Sequence, residues 1–165
     1  MAKWNKLLLF LFGAFIIFVN TQCDLFSEDE SVEPESDFAV KDTANIVKFK
    51  ISDTQNNSIT ITRDNKDKKW MIDGTKYGAQ LNNVKLIMET FYRIRVKQDI
   101  PEKGIDNQIT MLSVQHKKVE IFKRGANNPV KTWYIGGGTQ DHTGTYMLLQ
   151  NGKKKSSVPY IMYKP

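Results

Sequence analysis

NIVKFKIS, residues 45–52, sets the reading of the chain. Val47, Phe49 and Ile51 alternate with Lys48 and Lys50. A period of two places the apolar set on one side of an extended chain, as in a half-buried strand. Asp53 to Asn57 is turn chemistry. Ile59 and Ile61 then alternate with Thr60 and Thr62, which predicts a hairpin partner. Asp64 to Asp67 turns the chain again, and Trp70 and Ile72 form a third strand that ends at Asp73-Gly74.

Further on, the period changes. Val84, Ile87, Met88 and Phe91 fall at i, i+3, i+4 and i+7, which predicts a helix from about Leu81 to Arg93 with that stripe in the core. Ile94 to Asp99 returns to alternation. Pro101 opens a second, shorter helix with Ile105, Ile109 and Leu112 at helical spacing. Strands follow at Lys118 to Lys123, Val130 to Ile135, Thr145 to Gln150 and Val158 to Tyr163, and Asn151-Gly152 before Lys153-Lys154-Lys155 reads as a hairpin tip. The order is βββαβ followed by αββββ. Consecutive strands favour antiparallel pairing, so the expected class is α+β, a mostly antiparallel sheet with two helices.

Before this domain lies an export-type segment. Leu7 to Val19 is an unbroken apolar run of thirteen residues behind Lys3 and Lys6, the pattern of a secretory signal. At 1.5 Å per residue such a helix spans about 20 Å, less than the roughly 30 Å of a hydrocarbon core. Cys23, the chain's sole cysteine, follows four residues later. It resembles the acylated first residue of a bacterial lipoprotein, and Gln22 stands where such sites have a small residue. A retained anchor and a plain cleaved signal are the alternatives. Residues 1–22 are thus read as signal or anchor, 23–37 as an acidic disordered spacer, and 38–165 as a single α+β domain.

Charge is divided between the last two segments. The net charge is +6. Asp24 to Asp37 holds seven acids and no base, which leaves 22 bases against 11 acids from Phe38 onward. A single-sign run poor in apolar residues stays extended. Stretched out, its fourteen residues reach about 46–50 Å, enough to hold the domain clear of a bilayer. The basic domain suits anionic partners. Export sets nucleic acid aside, which leaves anionic polysaccharide or lipid headgroups as the electrostatic reading, against lysines that are simply solvated on strand faces.

Few residues suggest chemistry. Gly136-Gly137-Gly138-Thr139-Gln140-Asp141 is the one conspicuous loop. Glycine loops cradle phosphate when they join a strand to a helix, but here a strand follows and there is no Walker lysine, so a tight turn is expected. His116 and His142 have no second ligand at metal spacing. No Gly-x-Ser-x-Gly elbow is present. The chain is therefore read as a non-enzyme with no catalytic residue, metal or cofactor assigned. A hydrolase-type site near the Gly136–His142 loop is the minor alternative.

Several stretches resemble the domain of unknown function 4340 family. They are Ser36 to Thr43, Lys69-Trp70, Arg93 to Lys97, Lys118 to Phe122, and Tyr134 to Asp141 followed by Gly144 to Leu149. The resemblance covers Ser36 to Pro165. It implies a membrane-tethered, envelope-facing α+β protein with an assembly role and no assigned catalytic residues. Family members begin with a plain anchor, so Cys23 is a variation. They also continue past the position of Pro165, so the chain is expected to correspond to their first half. The functional expectation is an envelope lipoprotein that binds or scaffolds another protein, tethered to membrane through its N terminus, with its oligomeric state left open.

Overall fold

The computed structural model describes residues 35–64 and 67–163. Leu7–Val19 and Cys23 lie outside them. The elements are β1 (Ile46–Asp53), β2 (Ser58–Arg63), β3 (Trp70–Ile72), α1 (Leu81–Arg93), β4 (Val96–Asp99), α2 (Glu102–Val114), β5 (Lys117–Lys123), β6 (Lys131–Gly138), β7 (Gly144–Asn151), β8 (Lys154–Lys155) and β9 (Tyr160–Tyr163). One sheet of nine strands runs in the order β3-β2-β1-β5-β6-β7-β9-β4, with β8 a short flap on β7. Every ladder is antiparallel. The class is α+β, as the alternation and the helical stripe predict.

The core lies on one face of the sheet. Phe49, Val119, Ile121, Trp133, Met147, Leu149 and Met162 form it, and α1 closes it with Val84 and Phe91. Phe91 stands edge-on to Phe49 at 5.7 Å and to Trp133 at 5.2 Å between centroids, the arrangement aromatic quadrupoles favour. The predicted bounds of α1 agree with the structure, and Ile87 and Met88 are half-buried beside the core.

β1 departs from simple alternation. Ile46 lies opposite Lys123 and Lys48 opposite Phe122, so the register slips by one residue at Val47. Such a bulge puts two residues against one and re-aims the side chains before it. Ile46 is consequently fully buried with Phe49, while Val47 is only half-buried. The core face predicted to begin at Val47 begins at Ile46.

The segment before β1 is also part of the core. Phe38 and Val40 are buried, Phe38 meets Tyr160 edge-on at 5.9 Å, and the Val40 amide donates to the Phe91 carbonyl at the end of α1 at 2.8 Å. Lys131 pins this segment. It faces Ile121 across the ladder, and its ammonium donates to the Asp37 carboxylate at 2.8 Å, the Ala39 carbonyl at 2.9 Å and the Asp37 carbonyl. Glu35 accepts from the Ser157 amide at 3.2 Å and from the hydroxyls of Ser156 and Ser157. The last two acids of the acidic run are thus bonded to the domain.

α2 packs on the opposite face, over β6 and β7. It is as long as α1, thirteen residues, and not shorter as the sparse apolar spacing suggests. Leu112 is buried, but Ile109 is 39 % exposed, so the helix does not bury the whole predicted stripe. A residue at Gly136 with a Cβ would meet Leu112 Cδ2 at 2.8 Å. The absent side chain is what lets the helix sit close to the strand.

Candidate functional site

Strand β6 runs three residues further than its apolar pattern indicates. Gly136, Gly137 and Gly138 are extended chain, with Gly138 opposite Thr145 of β7 and a register slip after Ile135. The predicted glycine loop is therefore half strand and half turn. Only Thr139 to Thr143 reverses direction.

The turn holds itself together. Thr139 donates its amide to the Gly144 carbonyl at 2.9 Å, and its hydroxyl accepts from the Gly144 amide at 3.0 Å and donates to Asp141. Asp141 also accepts from the Thr143 amide at 3.1 Å and the Thr143 hydroxyl at 2.6 Å. Lys97 lies 4.0 Å from the same carboxylate and donates to the Thr143 hydroxyl. These donors, the Thr139 hydroxyl first, hold the Asp141 carboxyl far below the usual carboxylate range. A carboxylate so held keeps its charge at neutral pH and is a poor proton carrier. His142, in the left-handed region at φ 57°, is exposed and takes no bond from its neighbour Asp141 among the described residues.

The other histidine is placed differently. His116 Nδ1 lies 2.7 Å from the Leu112 carbonyl, and the ring meets Tyr134 edge-on at 5.3 Å. A carbonyl only accepts, so Nδ1 carries the proton and His116 satisfies a terminal carbonyl of α2. Among the described residues no group of three or more His, Cys, Asp or Glu side chains could hold a metal ion.

A groove of about 760 Å³ opens between α2 and the glycine end of β6. One wall is α2, with Asn107, Gln108 and Met111, and Gln115 and His116 follow it. The floor is Ile135 to Gly138 with Tyr146, and the far rim is the β1–β2 turn at Asp53 to Gln55. Gly136, Gly137, Gly138 and Gln140 of the predicted loop line the groove, whereas Thr139, Asp141 and His142 do not. Its charged lining groups are Asp53 and Lys117, and these pair at 3.5 Å. Asp53 also accepts from Asn57 Nδ2 and from the amides of Gln55 and Asn57; these bonds, the Asn57 side chain first, hold it below its ordinary value.

The groove is therefore balanced in charge, rich in carboxamides, and apolar where Met111 and Val114 stand 61 % and 71 % exposed. The domain's positive surplus does not converge on it. Lysines lie instead along aromatic faces of the strands, as Lys48 does over Phe122 at 4.0 Å and Lys155 over Tyr134 at 4.9 Å. The wall residues Asn107, Gln108 and Gln115 were not legible as a site. No local signal marks them, since α2 carries two amides, the same number as α1.

The chain matches no family model, no curated protein and no solved structure. The resemblance to the domain of unknown function 4340 family rests on its quoted motifs alone.

Proposed function

We propose that this chain is a membrane-tethered, non-catalytic binding module of the bacterial cell envelope, and that its groove receives another protein. The observation that supports it most is the placement of two features along one strand. The N-terminal segment is pinned at Lys131, where β6 begins, and the groove lies at Gly138, where β6 ends. The seven steps from Lys131 to Gly138, at roughly 3.3 Å each, separate them by about 23 Å. A domain held through residues 35–40 at one end presents the groove at the other. The hydrolase-type alternative loses support because both Asp141 oxygens are occupied and His142 stands apart. The anionic-polymer alternative has no cation cluster in the groove to favour it.

A photoreactive phenylalanine analogue in place of Met111, in the full chain in its native envelope, tests the reading, with the equally exposed Leu86 on α1 as control. A discrete protein adduct at position 111, absent at 86, is expected. Adducts of equal yield at both positions, or none at 111, would overturn it. The tether is tested separately by intact mass: acyl mass on a chain beginning at Cys23, lost in Cys23→Ala, is expected, and a chain still beginning at Met1 would replace lipidation with a retained anchor.

A further inference from the structure

We infer that the groove's ligand is an extended, uncharged peptide segment of a partner protein, which adds as a short strand to the free edge of β6 at Gly136–Gly138. This rests on the groove being a protein-binding site. On one side these three residues face β7, with Gly138 opposite Thr145. On the other side β5 begins only at Lys117, opposite Ile135. The lane that β5 would fill beside Gly136–Gly138 carries no strand among the described residues. Gln115 and His116 turn the chain out of it toward α2.

An unpaired strand edge templates another chain, and sheets usually blunt such edges with Lys, Pro or bulky side chains. Here the edge is three glycines, two of them exposed. A Cβ at Gly137 would meet nothing within 4 Å, so the face of the strand is open at this residue. Strand addition draws affinity from main-chain hydrogen bonds and specificity from pockets for alternate side chains. The α2 wall provides both chemistries: Met111 and Val114 for apolar side chains, and Gln108 and Gln115 as amides that can donate and accept. Asp53 and Lys117 offset each other in the lining, so charged residues in the segment would lose hydration without a dedicated partner. Three residues of edge span about 10 Å, which suits a short segment and modest affinity.

The test uses the full chain in detergent, a phage-displayed library of linear twelve-residue peptides, and chitooligosaccharides as the competing chemistry. Enrichment of uncharged peptides with alternating apolar residues is expected. Gly137→Leu, whose side chain enters open space and leaves the fold intact, weakens them at least about tenfold by crowding the groove, and N-methylating the peptide residue that pairs with β6 does the same by removing a main-chain hydrogen bond. Slowed amide exchange at Gly136–Gly138 on binding accompanies it. No enrichment, binding of the oligosaccharides instead, or peptides indifferent to both changes would overturn strand addition. If Met111 still gives its adduct in that case, the binding-module reading stands and only the strand fails; if Met111 gives none, the reading beneath it fails too.

Discussion

Lys131 and Asp37 lie 2.8 Å apart across ninety-four positions of sequence, and the lysine occupies a core-facing slot of β6 while the aspartate sits on the chain that enters the domain. The Lys131 side chain is 9 % exposed and that of Asp37 41 %. One ammonium therefore joins residues 37–39 to the middle of the sheet.

Removing that ammonium strands three acceptors. Lys131→Ala is expected to cost about 2–3 kcal/mol, below the range for a fully buried pair because Asp37 reaches water. Lys131→Met keeps the packing and costs less, yet both variants expose residues 35–40 to protease. Urea denaturation and limited proteolysis read these effects. A change under about 0.5 kcal/mol with unchanged cleavage would show that the pin carries no weight.

Three glycines separate packing from conformation. A Cβ at Gly144 would stand 2.5 Å from Ile161 Cγ2 and 3.0 Å from the Met162 carbonyl, a rigid neighbour on β9. Gly144→Ala should lose about 1–3 kcal/mol by overpacking. Gly136→Ala meets the flexible end of Leu112 and costs less, with α2 giving way. Gly137→Ala, in open space, stays within about 0.5 kcal/mol of the parent. Thermal unfolding of the three variants should rank them in that order.

Phe91 of α1 stands edge-on to both Phe49 and Trp133. Phe91→Ala is expected to cost about 3–5 kcal/mol and to detach α1 before the sheet melts. Circular dichroism and amide exchange along Leu81–Arg93 would check it; a loss below about 1 kcal/mol would mean the helix is held elsewhere.

Asp141 contributes to acid sensitivity. Its folded pKa lies below its unfolded value of about 4. Its stabilising contribution is therefore fully present above about pH 4 and is lost as pH falls from there toward the folded pKa. Glu35, lowered chiefly by the Ser157 amide, acts with the same sign at the other end of the sheet. In Asp141→Asn the urea midpoint should fall at pH 7 and decline less than that of the parent as pH drops below about 4. An unchanged difference between the two proteins across that range would remove Asp141 as a contributor.

Much of the fold is legible in the residues because periodicity is local. The stripe of Val84, Ile87, Met88 and Phe91 yields α1 with its true ends, and Ile59 with Ile61 yields β2. The candidate site is legible only in part. Gly136 to Asp141 marks the right region, but the glycines belong to a strand, and the acid beside the histidine is a turn-holding group. An isolated glycine run does not say whether a neighbouring strand will pair with it, since glycine tolerates both extended and left-handed backbone.

By itself the sequence determined the types of element, most of their ends, and which face of each is apolar, since those follow from contacts a few residues apart. Tertiary structure alone decided that β4 pairs with β9, Val96 opposite Met162, that a bulge substitutes Ile46 for Val47 in the core, and that Lys131 is buried rather than solvated. It also decided that α2 and the glycine end of β6 enclose a groove. Each depends on partners distant in the chain, whose packing and hydrogen bonds outweigh the local pattern once the sheet closes around them.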